Sequence, residues 1–258
     1  MTSIVVLNNK GGVGKTTSVV NIAGALSQKN KKTLLVDLDP AASASVHLGL
    51  DKNTGDFKTL CDFILEGADD VHPFIRETAF KHLHCLPSEP ALSDFYDEMV
   101  HEQEDRFFFE RGHLPERYDY ILFDSPPNMG SLAFNALALA DYVLIPVQTQ
   151  FLALNGLQLT LKTVDKVRRH LNPDLKILGI FGTQYDRRTR VARDVLEHLR
   201  QQHGKLMMKT VIGVNSKLTE AYNAQKPIVF KTPAARGARE YAALTQEIQS
   251  RIKKDKRT

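Results

Sequence analysis

The chain has 258 residues, 42% hydrophobic and 25% charged, with a formal net charge of +4. This length favours one large α/β domain spanning 1–258, and the composition is globular rather than disordered or fibrous. No run of about 18 apolar residues occurs, which excludes a membrane-spanning helix. The N-terminus carries no basic-then-apolar leader, and Cys61 and Cys85 have no metal-ligand spacing. A cytoplasmic protein with reduced thiols is therefore expected.

The first element read from the chain is the apolar run Ile4-Val5-Val6-Leu7, a buried strand. It leads into Asn8-Asn9-Lys10-Gly11-Gly12-Val13-Gly14-Lys15-Thr16-Thr17, and an amphipathic helix, Val19 to Leu26, follows. Strand, glycine-rich loop and helix in that order make a phosphate cradle: glycines let backbone amides converge, and the helix adds unpaired N–H groups and its positive dipole end. Lys10, Gly11, Gly12, Val13, Gly14, Lys15, Thr16 and Thr17 are the expected nucleotide-binding set. Lys15 would neutralise the β/γ-phosphates and the Thr16 hydroxyl would ligate Mg²⁺. Lys10 is a second, early lysine added to the usual Walker A pattern.

Next comes Thr33 to Pro40, whose apolar part reads as a buried strand with the carboxylates Asp37 and Asp39 at its carboxyl end. Ligands of open α/β sheets bind outside that edge, so both should face the phosphates. Residues 41–50 read as a switch-like loop and short helix, 57–66 as a helix, Leu83 to Pro87 as a short strand, and Ala91 to Arg111 as a long charged helix. The histidines of this region have no ligand spacing. Tyr118 to Pro127 is the second nucleotide signal: three apolar residues and then Asp124 at a strand end, a Walker B pattern in which Asp124 holds Mg²⁺ through a water. Thr16, Asp37 and Asp124 are thus the expected metal set. Helices are then expected over Asn128–Ala140, Gly156–His170, Val191–Gln202, Ser216–Gln225 and Pro233–Lys254, with strands over Asp141–Val147, Ile177–Gly182 and Met207–Ile212. The alternation predicts a doubly wound, mostly parallel twisted sheet flanked by helices, the P-loop NTPase architecture.

Charge is unevenly distributed. Residues 51–120 hold 7 Lys/Arg against 17 Asp/Glu, whereas residues 200–258 hold 13 against 4. The basic, helical C-terminal region suggests a polyanion-binding face.

Taken together, Lys10 to Thr17, Val36-Asp37-Leu38-Asp39-Pro40 and Phe123-Asp124-Ser125-Pro126-Pro127 resemble the ParA/MinD family of deviant Walker ATPases. Ile145-Pro146-Val147-Gln148, Lys226-Pro227-Ile228 and Arg236-Gly237-Ala238 are similar to its ParA (Soj) branch, and the likeness runs from residue 3 to about 250. The resemblance implies an ATPase with weak basal turnover that works as an ATP-dependent homodimer. Lys10 would reach the partner's phosphates, Asp39 would position the attacking water, and Gly11 and Gly12 would admit the facing chain; Lys10, Lys15 and Asp39 form the catalytic set. The resemblance also implies non-specific DNA binding on the nucleoid, a ParB-like or other cargo-adaptor activator, and a plasmid, chromosome or protein-cluster cargo. Lys205, Lys209, Lys217, Lys231, Arg236 and Arg239 are the DNA-contact candidates. Ala41-Ala42-Ser43 stands where the family commonly has Gln-Gly-Asn, and Gly213 to Lys217 where it often has Pro-Arg-x-Val-Arg.

The alternative is a MinD-like membrane-surface ATPase, which needs an amphipathic C-terminal helix. Here its apolar face would be only Leu244, Ile248 and Ile252, before an all-polar tip, and no membrane partner is expected.

Overall fold

The computed structural model describes residues 1–52, 55–93, 113–127 and 130–257. Among the described residues seven strands lie in the order β3-β4-β2-β5-β1-β6-β7. They are β1 (Thr2–Val6), β2 (Thr33–Asp37), β3 (Arg76–Glu77), β4 (Leu83–Leu86), β5 (Tyr120–Asp124), β6 (Tyr142–Gln148) and β7 (Lys176–Thr183). Every pairing is parallel except the two-residue β3 edge against β4. The expected doubly wound sheet is present.

Strand side chains alternate between two cores, one on each face. Val5, Leu7, Leu34 and Val36 enter one core; Ile4, Val6 and Leu35 enter the other. On the first face pack α3 (Leu60–Glu66), α4 (Ser131–Leu139), α5 (Ala153–His170) and α6 (Arg190–His203). On the second pack α1 (Lys15–Gln28), α2 (Ser43–His47), α7 (Ser216–Asn223), α8 (Ile228–Lys231) and α9 (Arg236–Asp255). Where α1 meets the segment entering α8, a side chain would not fit: a Cβ on Gly24 would stand 2.6 Å from the Pro227 ring.

α9 buries Tyr241, Leu244, Ile248 and Ile252, a stripe at three- and four-residue spacing. Each such side chain contributes about 1.5–3 kcal/mol on burial. This is the face that a membrane-surface reading requires, and here it lies in the core. No helix among the described residues is long and apolar enough to cross a membrane. Cys61 and Cys85 are both buried.

Met207 to Ile212, expected as a strand, is not one. It runs extended beside β7, with Met208 N–H donating to Ile180 O and Ile212 N–H to Gly182 O. Between these bonds it spends four residues against two on β7. The surplus amides of Lys209 and Thr210 donate to the Glu247 carboxylate of α9 instead, which lifts the backbone off the ladder. The helix expected from Pro233 starts at Arg236, after the unforeseen short α8. The long charged helix lies outside the described residues beyond Ser93, as does Asn128.

A candidate nucleotide site at the carboxyl edge of the sheet

β1 ends at Val6, and the chain makes its glycine loop before α1 begins at Lys15. Gly12 and Gly14 have φ of +73° and +87°, which L side chains rarely adopt, and nothing lies within 4 Å of a Cβ built on either. The α1 N-terminus carries no side-chain cap. Its first amides therefore lack side-chain partners, and the dipole end favours an anion. The outward carbonyls of the loop are held from β7: Thr183 Oγ1 donates to Val13 O (2.8 Å) and Gln184 Nε2 donates to Gly12 O (2.6 Å). In a trans peptide the carbonyl and the next N–H point opposite ways. Fixing these two carbonyls therefore turns the Val13 and Gly14 amides the other way.

Lys15 is buried, and its ammonium donates to Lys10 O at 3.3 Å. Burial lowers its pKa, and the carboxylates of Asp124 and Asp39 partly offset that. Asp124, at the end of β5, is fully buried, and neither carboxylate oxygen has a hydrogen-bond partner among the described residues. Burial, then the neighbouring Asp37, push its pKa well up; the Thr16 hydroxyl and Lys15 act in the opposite direction. Among the described residues no three His, Cys, Asp or Glu side chains converge to hold a metal by themselves. One hydroxyl and one orphaned carboxylate beside a phosphate cradle fit Mg²⁺, which keeps most of its waters and takes few protein ligands.

The other two aspartates differ from each other. Asp37 is also fully buried, but its oxygens are engaged: Ser45 Oγ donates at 2.7 Å, Ser45 N–H at 2.8 Å and Asp39 N–H at 3.1 Å. Burial raises its pKa to about 6 despite the Ser45 bonds. Asp37 thus clamps α2 to the strand end, and of the two buried carboxylates Asp124 is the one with lone pairs to spare. Asp39 is half-buried and accepts Ala41 N–H at 3.0 Å, turning the chain toward Ala42, which adopts φ of +51° at the start of α2.

Lys10 occupies the opposite flank. Asn8 Nδ2 donates to Pro146 O, and Lys10 N–H donates to Asn8 Oδ1. The Thr160 hydroxyl of α5 accepts Asn9 N–H, and a Cβ on Gly156 would stand 3.3 Å from Lys10 Cβ. The Lys10 ammonium donates to Gln148 Oε1 at 3.4 Å. Of these supporting residues, Thr160, Thr183 and Gln184 carry no motif, whereas Asn8 opens the glycine-loop stretch and Gln148 belongs to a stretch that resembles the family.

The DNA-contact candidates fall in two groups near the ends of α9 rather than in one cluster. Lys217, Lys231, Arg236 and Arg239 lie toward its N-terminal end; Lys205 and Lys209 line a groove with Arg200, Arg251 and Lys254 toward the other. Lys217 pairs with Glu220 and Arg239 donates to Ala234 O, each at an exposed position. Arg236 pairs with Glu240 and donates to Val214 O. A family model described as an AAA domain matches residues 1–177. The Soj chromosome-partitioning ATPase of Treponema pallidum is 39% identical over 251 residues, covering 96% of this chain and 97% of that one. The MinD septum site-determining protein of Pyrococcus horikoshii, solved with Mg-ADP, is similar at TM-score 0.75 and 25% identity, covering 96% and 95%. Apo McdA of Cyanothece shares the fold at TM-score 0.84 and 20% identity, covering 96% and 99%. With the deviant loop, the strand-end aspartates and this full-length likeness all in place, the chain belongs to the ParA/Soj branch of the ParA/MinD family of P-loop ATPases.

Proposed function

We propose that the chain is a nucleotide-switched, DNA-binding ATPase that positions a cargo over the nucleoid. The observation that carries the catalytic part is Asp124: a fully buried carboxylate whose oxygens meet no hydrogen-bond donor in bonding geometry among the described residues, with only the nearby Thr16 hydroxyl and Lys15 favouring its charged form. A buried charge in that state costs several kcal/mol unless something pairs with it. Mg²⁺ held by Thr16 and, through water, Asp124 would supply the Lewis acid for phosphoryl transfer. The amides of the loop and Lys15 then bind the phosphates. Lys15 leaves Lys10 O to do so and gains the anion that its buried ammonium lacks. Asp39 keeps Oδ2 for the attacking water while Oδ1 holds the Ala41 turn. Lys10 adds its charge across a dimer interface to the second copy's phosphates.

The basic side chains near α9 are the proposed DNA face. They would bind phosphates irrespective of sequence, in the ATP-bound dimer. A ParB-like partner is the first activator to examine, since the Treponema relative is a chromosome-partitioning ATPase. The test is duplex binding with ADP, with ATP, and with ATP on Asp39→Ala, at two salt concentrations. Binding that requires ATP, persists in the variant and weakens with salt is expected. Binding indifferent to nucleotide or to salt would remove the DNA reading.

A further inference from the structure

Two glutamines tie Lys10 to the loop it belongs to. Lys10 Nζ lies 3.4 Å from Gln148 Oε1, Gln148 Nε2 lies 2.7 Å from Gln184 Oε1, and Gln184 Nε2 lies 2.6 Å from Gly12 O. Both ends of this chain fix its direction. An ammonium only donates and a backbone carbonyl only accepts, so each amide must present oxygen toward Lys10 and nitrogen toward Gly12. Gln184 reaches its place with φ of +51°, an uncommon conformation for a non-glycine residue. Gln148 is the last residue of β6 and Gln184 directly follows β7, neighbouring strands whose register sets the two amides side by side.

We infer that Gln148 and Gln184 are positioning residues that hold Lys10 on its own chain and release it when a second copy's nucleotide competes for it. The inference rests on the reading in which Lys10 acts across the dimer. Holding Lys10 in cis taxes dimer formation, because the ammonium must give up the Gln148 oxygen before it can reach the facing phosphates. The Gly12 carbonyl takes its bond from Gln184 rather than from Gln148, so the cradle keeps that contact when Gln148 is replaced. A glutamate at 148 could accept more strongly from Lys10 but could not donate to Gln184. An alanine there could do neither.

The experiment uses the full chain in sedimentation velocity across an Mg-ATP titration, with wild type, Gln148→Ala and Gln148→Glu, and with ADP affinity measured alongside. Gln148→Ala is expected to lower the ATP concentration for half-dimerisation by on the order of fivefold, the worth of one net hydrogen bond. Gln148→Glu is expected to raise it by at least as much, since its bond to Lys10 is between charges. ADP affinity, which does not call on Lys10 in trans, should change less than twofold in both and reports an intact cradle. A merely structural glutamine would make both variants err in the same direction. Shifts of the same sign, or none, in a wild type that dimerises with ATP overturn the holding role. A wild type that stays monomeric with Mg-ATP overturns the trans reading of Lys10, and the holding role with it.

Discussion

At the scale of single residues, the site is built at the expense of stability. Asp124 and Asp37 are both fully buried, and the Asp37 carboxylate pushes the Asp124 pKa up further than burial alone does. Asp124→Asn removes a buried carboxyl and its like-charge contact with Asp37 while keeping the shape. The ligand-free variant is expected to melt a few degrees above wild type at neutral pH, 1 kcal/mol being worth about 2–4 °C in a chain of this size. The rise in melting temperature on adding Mg-ATP should shrink in the same variant. Melts with and without Mg-ATP check both; a destabilised ligand-free variant would mean that Asp124 has a partner in solution. Thr183→Val tests the loop from outside. It keeps the volume but leaves Val13 O without its hydroxyl donor, so the Gly14 amide loses its orientation. Nucleotide affinity should fall about tenfold, as loss of one buried bond predicts, and calorimetry with ADP measures it.

Among the elements, α2 concentrates the coupling. It is only five residues long, yet Ser45 clamps Asp37 on one side and His47 meets Lys226 O at 3.2 Å on the other, edge-on to Tyr222. Burial lowers the His47 pKa to about 4 and raises that of Asp37 to about 6. The signs oppose. For Asp37, whose folded pKa is raised, the contribution to stability is lost as pH rises from about 4 to about 6. For His47, whose folded pKa is depressed, it is lost as pH falls from about 6.5 toward 4. The two compensate across one window in wild type. Asp37→Asn should therefore make the ligand-free protein lose more stability on acidification than wild type does, and His47→Gln less; urea midpoints from pH 4 to pH 7 measure this. Parallel curves for all three proteins would sink the argument. None of it was legible in the sequence. The strand, loop and first helix were, because their residues are local and each type does what its backbone chemistry dictates. Asp37 read as facing a ligand because it ends a strand. Only the fold brings Ser45 back onto it, and only α7 and Pro227 bring Lys226 O to His47. The Met207 segment misled for a similar reason: its apolar run is a strand pattern, and the carboxylate that diverts its amides belongs to Glu247, far along the chain.

Across the whole molecule, the proposed function must join phosphate chemistry at the carboxyl edge of the sheet to the basic side chains near α9. Net charge placed them in the C-terminal quarter, but charge counts do not say which cations are already employed. Arg236 is tied to Glu240 and Val214 O, and a Cβ on Gly213 would collide with its guanidinium. Its loss should show first as loss of stability. Lys205 and Lys209 flank one end of α9 and Lys217 and Arg239 the other, all four exposed, Lys217 beside its surface partner Glu220, and the 20 residues of the helix span about 30 Å. If the two groups form one continuous interface, a duplex lying along α9 touches both ends at once. The pairs Lys205→Gln with Lys209→Gln, and Lys217→Gln with Arg239→Gln, should then each lower the dependence of log K on log salt. Every phosphate left without its cation takes about 0.9 off that slope. The effects should add when all four changes are combined, because the two ends share no partner. ATP hydrolysis without DNA should be unchanged, since none of the four residues lies at the cradle. A slope that falls for one pair alone would confine DNA to that end of α9. A slope unmoved by either, with ATP-dependent binding intact, would put the DNA face elsewhere on the molecule.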